Sequence, residues 1–336
     1  GAVEIPPENI KFKGRLQPGK MFLVDTKEGR IIDDTELKAN ICDAQPYSQW
    51  LKENMLELSD LPKPDQVPET DFESLLLRQK IFAYTTEDIN LLLTPMFTNG
   101  VEASGSMGDD TPVAVLSSHF RPVSHYFRQN FSQVTNPPID SLRENKVMSL
   151  KTRFGNLGNI LDFDNLTEEN IYVLDSPVLT NSQFKKFKRF FAKKVKVIDC
   201  TFDIEKSLKE RIELIREEAE TAVREGSTCL VLSDKNISNK KASIPSILTA
   251  GAVHSHLVKH GLRGYCSLNV ECADAMDTHS FAILIGVGAT TVNPYLAIDS
   301  IHQRFEKKLF GKSDFETCVS KFKKSIDAGL LKIMSK

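Results

Sequence analysis

The sequence predicts an α/β fold in which parallel strands alternate with helices, as a parallel sheet or a barrel segment, after a small β-rich N-terminal piece. Two observations support this prediction. Short apolar runs recur in the second half of the chain, and each is followed by a longer stretch of helical periodicity. Because parallel strands need crossover helices and are covered on both faces, continuous apolar strands between helices indicate parallel pairing.

The N-terminal piece is predicted from a hairpin signal. Residues 20–34, KMFLVDTKEGRIIDD, carry two apolar runs on either side of a turn that contains Gly29. Residues 59–71, SDLPKPDQVPETD, then combine three prolines with charged residues and have no periodicity, which is typical of a linker. A domain boundary is therefore expected in this stretch.

Two helices are predicted after the linker. From Phe72 onward the apolar residues follow helical spacing, with Leu75, Leu76 and Phe82 on adjoining turns. A second helix is expected from Thr86, whose side chain favours a helix cap.

Four strand–helix pairs are predicted in the second half. The strands lie at residues 194–200, 227–234, 265–272 and 289–294. The helices lie at residues 204–226, 243–261, 275–288 and 295–309. The pair Gly286 and Gly288 stands between a helix and a strand, the reverse of the order that a phosphate-binding loop requires, so it is interpreted as a helix stop.

The ligand-facing edge of such a sheet lies at the carboxyl ends of its strands. The residues expected there are Asp199 to Thr201, Ser233 with Asp234, Glu271 with Cys272, and Asn293 with Pro294.

Composition excludes several function classes. The formal net charge of −2 does not favour a nucleic-acid partner or an anionic membrane surface. The longest apolar run, around residues 281–287, is far shorter than the ~20 residues of a membrane-spanning helix, so no membrane partner is expected. Six cysteines in 336 residues are too dilute for a disulfide framework, which favours a reducing intracellular compartment.

Metal ligation is weighed for two groups of residues. His254, His256 and His260 include a pair four apart on one helical face, but no third ligand stands at an obvious spacing on that helix, so core or cap histidines are favoured. Cys266 and Cys272 lack a third cysteine, and buried strand cysteines are favoured over an iron–sulfur site. No metal site is predicted.

The stretch from Gly105 to Asp140 offers two further hypotheses. Asp109 and Asp110 could bind a cation, but an acidic pair beside glycine before Thr-Pro is also ordinary turn chemistry, which is favoured. The aromatic residues are consistent with a single-stranded nucleic-acid surface or with core packing, and helical spacing favours the core. They are Phe120, Tyr126, Phe127 and Phe131.

Several segments, in the same order along the chain, resemble the large (α) subunit of the glutamate synthase family. They include FKGRLQPGKMFLVDTKEGRII (12–32), LLLRQKIFAYTTEDINLLLTPM (75–96), GSMGDDTPVAVLS (105–117), YFRQNFSQVTNPPID (126–140), IPSILTAGAVHSHLVKHGLR (244–263) and GATTVNPYLA (288–297). The resemblance covers nearly the whole chain.

The resemblance implies a domain organisation. Residues 1–45 resemble the tail of a glutamine amidotransferase domain, 46–70 a linker and 71–310 the family's central domain, while 311–336 resemble a helical lead-in to an FMN-binding synthase domain. It also implies that the α/β domain is a reduced, incomplete (β/α) barrel-like relative of that synthase domain.

The resemblance also implies an activity for the complete enzyme. In the family, glutamine is hydrolysed at an N-terminal cysteine, ammonia passes through a tunnel, and 2-oxoglutarate becomes glutamate on FMN, with an iron–sulfur cluster and ferredoxin or NAD(P)H as electron donor. Gly1 is not that cysteine, so this segment is expected to be catalytically inactive alone, with no catalytic, cofactor-binding or metal residue. Its expected partners are the flanking amidotransferase and synthase domains.

A connecting scaffold that helps to form the ammonia tunnel is the expected role. The residues expected to line the tunnel or an interface are Met107, Gly108, Asp109, Asp110, Thr135, Asn136 and Pro137. The alternative is a free-standing barrel that binds flavin or phosphate at the strand carboxyl ends.

Overall fold

The chain folds into two compact units, residues 1–55 and 56–336. The computed structural model describes residues 3–58, 60–61, 70–105, 111, 114, 116–118, 120–128, 130, 132, 134–156, 161, 171–309 and 313–336.

The first unit contains the predicted hairpin. Strands β1 (Leu23–Asp25) and β2 (Arg30–Ile32) pair antiparallel, with Val24 opposite Ile31. Two helices that the sequence analysis did not predict follow, α1 (Asp34–Cys42) and α2 (Tyr47–Asn54). The Asp33 carboxylate caps α1 by accepting hydrogen bonds from the backbone N–H groups of residues 35 and 36.

The chain passes into the second unit within strand β3 (Met55–Glu57). The remaining helices, in chain order, are α3 (Phe72–Ile81), α4 (Thr86–Asp88), α5 (Thr94–Asn99), α6 (Glu144–Val147), α7 (Asn181–Phe190), α8 (Leu208–Arg224), α9 (Ser246–Lys259), α10 (Thr278–Gly286), α11 (Tyr295–Glu306) and α12 (Phe315–Ser335). The remaining strands are β4 (Thr152–Phe154), β5 (Ile171–Leu174), β6 (Val195–Asp199), β7 (Thr201–Asp203), β8 (Cys229–Ser233), β9 (Lys241–Ser243), β10 (Ser267–Cys272) and β11 (Thr291–Pro294).

The centre of the second unit is a four-stranded parallel sheet in the order β11–β10–β8–β6. A helix follows β10 and β11 directly, and β6 and β8 after the short strands β7 and β9, so the four predicted strand–helix units are present and the α/β prediction is confirmed. Val178 makes a further parallel bridge to Val292 beside β11. Within the described residues the sheet stays open and does not close into a barrel.

Burial explains the apolar runs that predicted this sheet. Every residue of β8, β10 and β11 is buried, whereas Val197 on the edge strand β6 is 49% exposed. Helices cover the sheet, so its central strands lose both faces to packing, and polar residues within them, such as Asn269 and Thr291, are buried and hydrogen-bonded to each other. Two smaller sheets, β3–β5–β4 and β7–β9, complete the unit.

The helices after the linker begin near the expected positions. The cap of the second helix is Thr85, one residue before the predicted cap Thr86, and it forms a capping box with Asp88. A π-helical turn, Ile89–Leu93, joins α4 to α5.

Helix α12 packs against α5, α10 and α11. Its buried face includes Phe322 and Ile326, and each such side chain contributes roughly 1.5–3 kcal/mol of burial free energy. At Gly329 the backbone approaches α10 so closely that an added Cβ would lie 2.4 Å from Thr278 Oγ1. The absence of a side chain at Gly329 thus allows α10 and α12 to pack this closely.

Among the described residues, no helix is both long and apolar enough to span a bilayer.

Candidate functional site

A row of polar side chains lies across the carboxyl ends of the parallel strands. The strand register places Asp199 beside Ser233, Ser233 beside Glu271, and Glu271 beside Asn293. The prediction that these residues form one edge is therefore confirmed. Asn293 is 1% exposed and donates hydrogen bonds to the Leu179 carbonyl and to Asn181 Oδ1, which ties the edge to the start of α7.

Glu271 is the best-connected carboxylate of this edge. Its Oε1 accepts hydrogen bonds from Lys188 Nζ and Lys235 Nζ, each at 2.9 Å, and its Oε2 accepts one from Ser233 Oγ at 2.7 Å. Burial raises the pKa of Glu271, but the two ammonium groups outweigh burial and hold that pKa below its usual value. Glu271 is therefore an ionised carboxylate that holds two lysines in place.

Asp234 follows β8 and behaves differently. It is 2% exposed, and its Oδ2 accepts a hydrogen bond from the backbone N–H of Ala273 at 2.9 Å. Burial and then the neighbouring Asp274 raise the pKa of Asp234 to about 8. Asp274 itself accepts hydrogen bonds from Ser246 N (3.0 Å) and Ser246 Oγ (2.5 Å) at the start of α9. This raised pKa favours the protonated form of Asp234 near neutral pH.

A cleft of about 420 Å³ opens at the end of the row that Glu271 and Asn293 form. Its walls come from the ends of the strands and from α3, α7 and α11. The lining residues are Asp71, Arg78, Asn181, Phe184, Lys185, Lys188, Lys235, Glu271, Asn293 and Asp299. We call it the strand-end cleft.

Asp299 and Arg78 form the far wall of the strand-end cleft. Arg78 Nη1 lies 3.5 Å from Asp299 Oδ2, and Asn181 Nδ2 donates to Asp299 Oδ1 at 3.1 Å. Burial raises the pKa of Asp299, although Arg78 acts against this rise. Arg78 and Asp299 are 221 residues apart in sequence, so spacing could not have predicted their contact.

The three histidines at α9, of which His260 is the C-cap, separate into two environments. His254 Nδ1 accepts a hydrogen bond from Arg263 Nε at 3.2 Å, and burial and then that cation lower its pKa. An added Cβ at Gly288, where φ is +116°, would lie 2.3 Å from the His254 ring. Glycine is therefore needed at position 288 for packing against His254, in addition to the helix stop that the sequence predicts there.

His256 and His260 meet a carboxylate that the sequence analysis missed. Glu220 on α8 lies 2.6 Å from His256 Nε2 and 3.5 Å from His260 Nδ1, and the potential ligand atoms all lie within 4.8 Å of one another. Arg224 Nη2, however, lies 2.8 Å from Glu220 Oε1.

The environment of this cluster favours an ion-pair network between α8 and α9. Arg216 Nη2 lies 3.4 Å from His256 Nδ1, and since a guanidinium only donates, that nitrogen accepts and Nε2 donates to Glu220. A metal-bound histidine usually donates its second N–H to an acceptor, and a cation stands there instead.

An apolar pocket of about 210 Å³ lies elsewhere in the second unit. It is lined by Phe82, Pro122, Val123, Ile247 and Leu284, among others.

The residues expected to line a tunnel are only partly described. Met107, Gly108, Asp109 and Asp110 lie outside the described residues. Thr135 and Asn136 are exposed, Pro137 is half-buried, and none of the three lines either cavity above.

The prediction that the aromatic residues of this region pack in the core was wrong where it can be checked. Phe120, Tyr126 and Phe127 are 64%, 54% and 39% exposed, while Phe131 lies outside the described residues. Helical spacing misled because, in the described part of this stretch, the only helix is the short 3-10 turn Val123–Tyr126.

Comparison with known proteins identifies two family models. Residues 77–336 match the glutamate synthase central domain, and residues 1–50 match the class-II glutamine amidotransferases. The chain is 48% identical over its whole length to the glutamate synthase [NADPH] large chain of Azospirillum brasilense and 42% identical to that of Bacillus subtilis (strain 168). It is 37% identical to the chloroplastic ferredoxin-dependent glutamate synthase of Oryza sativa subsp. japonica.

In each of these three comparisons the alignment covers 100% of this chain and 22% of the relative. The chain therefore spans about a fifth of the length of these curated relatives. The two matches follow the order of the two structural units, and the central-domain match includes the whole parallel sheet with its polar edge. On this evidence, the chain belongs to the glutamate synthase central-domain family.

Proposed function

We propose that this chain is the connecting part of a glutamate synthase, an oxidoreductase that uses glutamine, 2-oxoglutarate and a reductant to make two molecules of glutamate. The observation that carries the proposal is the match over the full 336 residues to a glutamate synthase large chain, at 48% identity.

The role proposed for this part is structural. It holds a glutaminase site and an FMN-dependent synthase site, both in flanking domains, at a fixed separation, and it is inactive alone. Support comes from the polar edge, where the best-connected carboxylate, Glu271, is saturated by Ser233 and two lysines and is poorly placed to act as a base. FMN, an iron–sulfur cluster and an electron donor, either ferredoxin or NAD(P)H, belong to the complete enzyme.

The proposed domain organisation follows the same reasoning. Residues 1–45 are the tail of the amidotransferase domain, 46–70 a linker, 71–310 the central domain and 311–336 a helical lead-in to the synthase domain. The order of the two family matches supports this arrangement.

A closed passage for ammonia is the second part of the proposal. In neutral water ammonia is largely protonated, and ammonium has no lone pair with which to attack a carbonyl. A passage that excludes water keeps it nucleophilic and prevents its loss. The residues proposed to line or gate this passage are Met107, Gly108, Asp109, Asp110, Thr135, Asn136 and Pro137. Support for Thr135 and Asn136 comes from their exposed position in the bend at residues 135–136.

The experiment is a coupling measurement in the complete polypeptide. Thr135→Trp should raise the ratio of glutamine hydrolysed to glutamate formed, because a bulky side chain obstructs transfer without touching either reaction centre. Leu142→Trp, at a position that is 86% exposed in the same region, is the matched control and should leave the ratio unchanged. An unchanged ratio in Thr135→Trp would remove Thr135 from the passage.

A further inference from the structure

We propose that the strand-end cleft is a binding site for a small oxyanion, a phosphate or a carboxylate group. This assignment does not depend on the ammonia passage or on the residues proposed to line it. The cleft lies at the carboxyl ends of β10 and β11, the edge at which open α/β sheets bind ligands. Its volume of about 420 Å³ lies within the range of small-molecule sites.

The charges of the lining favour an anion. Four cationic side chains face three carboxylates, and the cations are Arg78, Lys185, Lys188 and Lys235. An oxyanion would therefore meet cationic donors from Arg78, Lys188 and Lys235.

Each carboxylate of the lining is already occupied. Glu271 accepts from two lysines and a serine, and Asp299 accepts from Asn181 and faces Arg78. Asp71 caps α3 by accepting from the backbone N–H groups of residues 73 and 74. The acceptors of the cleft are thus committed within the protein.

Donors of Arg78, Lys188 and Lys235 remain available. A lysine ammonium has three donors, and Lys188 and Lys235 both direct a hydrogen bond at the same Glu271 oxygen. Arg78 Nη2 donates to the Asp71 carbonyl, but its buried Nε has no partner among the described residues. A buried donor without a partner destabilises the folded protein, and an acceptor with several lone pairs would remove that cost.

The walls keep these donors in place. Glu271 and Asn293 are 3% and 1% exposed, and the lysine ammonium groups lie 5.0 Å (Lys188) and 4.8 Å (Lys235) from the ring centroids of Phe184 and Tyr295. The donors are therefore preorganised, which lowers the entropic cost of binding.

The test is isothermal titration calorimetry of the 336-residue chain at low salt, with inorganic phosphate and, separately, with succinate as the ligand. We expect one of the two to bind with a dissociation constant of about 1 mM or lower, and binding should weaken as salt is added. Binding of phosphate alone would assign a phosphate ligand, and binding of succinate a carboxylate ligand. Absence of binding by both anions up to about 10 mM would overturn the proposal.

Variants locate the site. Arg78→Gln and Lys235→Gln should each weaken binding about tenfold or more, since each removes a charged donor. Lys196→Gln, which removes a surface cation paired with Glu218 outside the cleft, is the matched control and should bind as the parent does. If Arg78→Gln does not fold, Lys235→Gln decides the question. Equal affinity in a folded cleft variant and in the parent would place any bound anion elsewhere.

Discussion

The contact between α10 and α12 makes Gly329 a position where an ordinarily stabilising substitution should destabilise. In a helix interior, glycine is about 0.5–1 kcal/mol less favourable than alanine, so Gly→Ala normally stabilises. A Cβ at Gly329 would lie 2.4 Å from Thr278 Oγ1 and 2.5 Å from its Cγ2, about 1 Å closer than van der Waals contact allows. Overpacking of this kind costs about 1–3 kcal/mol, and Thr278 cannot turn away freely because its hydroxyl donates to Glu102.

We therefore expect Gly329→Ala to lower the free energy of unfolding by about 1–2 kcal/mol, measured by urea denaturation with circular dichroism. Gly251→Ala is the matched control, since its Cβ would meet only Val287 Cβ at 3.7 Å, and it should stabilise by roughly 0.5–1 kcal/mol. A double-mutant cycle with Thr278→Ala should recover part of the Gly329 loss. Stabilisation of Gly329→Ala equal to that of Gly251→Ala would refute the argument.

Two further predictions concern the polar edge. The folded-state pKa of Asp234, about 8, lies above its ordinary value of 3.8, so the contribution of this group to stability is full below about pH 4 and is lost as the pH rises towards about 8. Asp234→Asn does not titrate, so in urea unfolding it should gain stability relative to the parent as the pH rises between those values. An equal pH dependence of the two proteins would contradict the raised pKa. Replacing both Lys188 and Lys235 with methionine leaves the negative charge of the 4% exposed Glu271 side chain unpaired, and should lower the free energy of unfolding by about 3–5 kcal/mol. Glu271→Gln should cost less, because the lysines that it frees can reach water. The reverse ranking in thermal and urea unfolding would show that Glu271 does not need its partners.

The sequence predicted the parts of the fold that local patterning determines. Strand β8 is buried on both faces and is apolar up to Ser233, and helix α10 begins at a cap, Asp277. The buried strands β10 and β11 mix apolar with polar residues, and their apolar positions carried the prediction. The polar edge was predictable as well, because parallel strands bring their carboxyl ends together. From this rule alone Glu271 and Asn293 could be assigned to one edge before their register was seen.

The partners of these residues could not be predicted, since they depend on long-range packing. Lys188 reaches Glu271 across 83 residues of sequence, and Glu220 reaches His256 from a neighbouring helix. Spacing on a single helix contains no record of such contacts. The exposed Tyr126 and Phe127 illustrate the opposite error, because aromatic residues at helical spacing indicate a core only where a helix forms.

The central claim is that this chain supports two distant reactions and performs neither. The most direct measurement is to assay the purified 336-residue chain for glutamine hydrolysis and for glutamate formation from 2-oxoglutarate, next to the complete polypeptide, and to record its visible absorbance spectrum. The account predicts both activities in the complete polypeptide, neither in the isolated chain, and no flavin absorbance from the isolated chain. Glutamine cleavage, glutamate formation or a bound flavin in the isolated chain would contradict it.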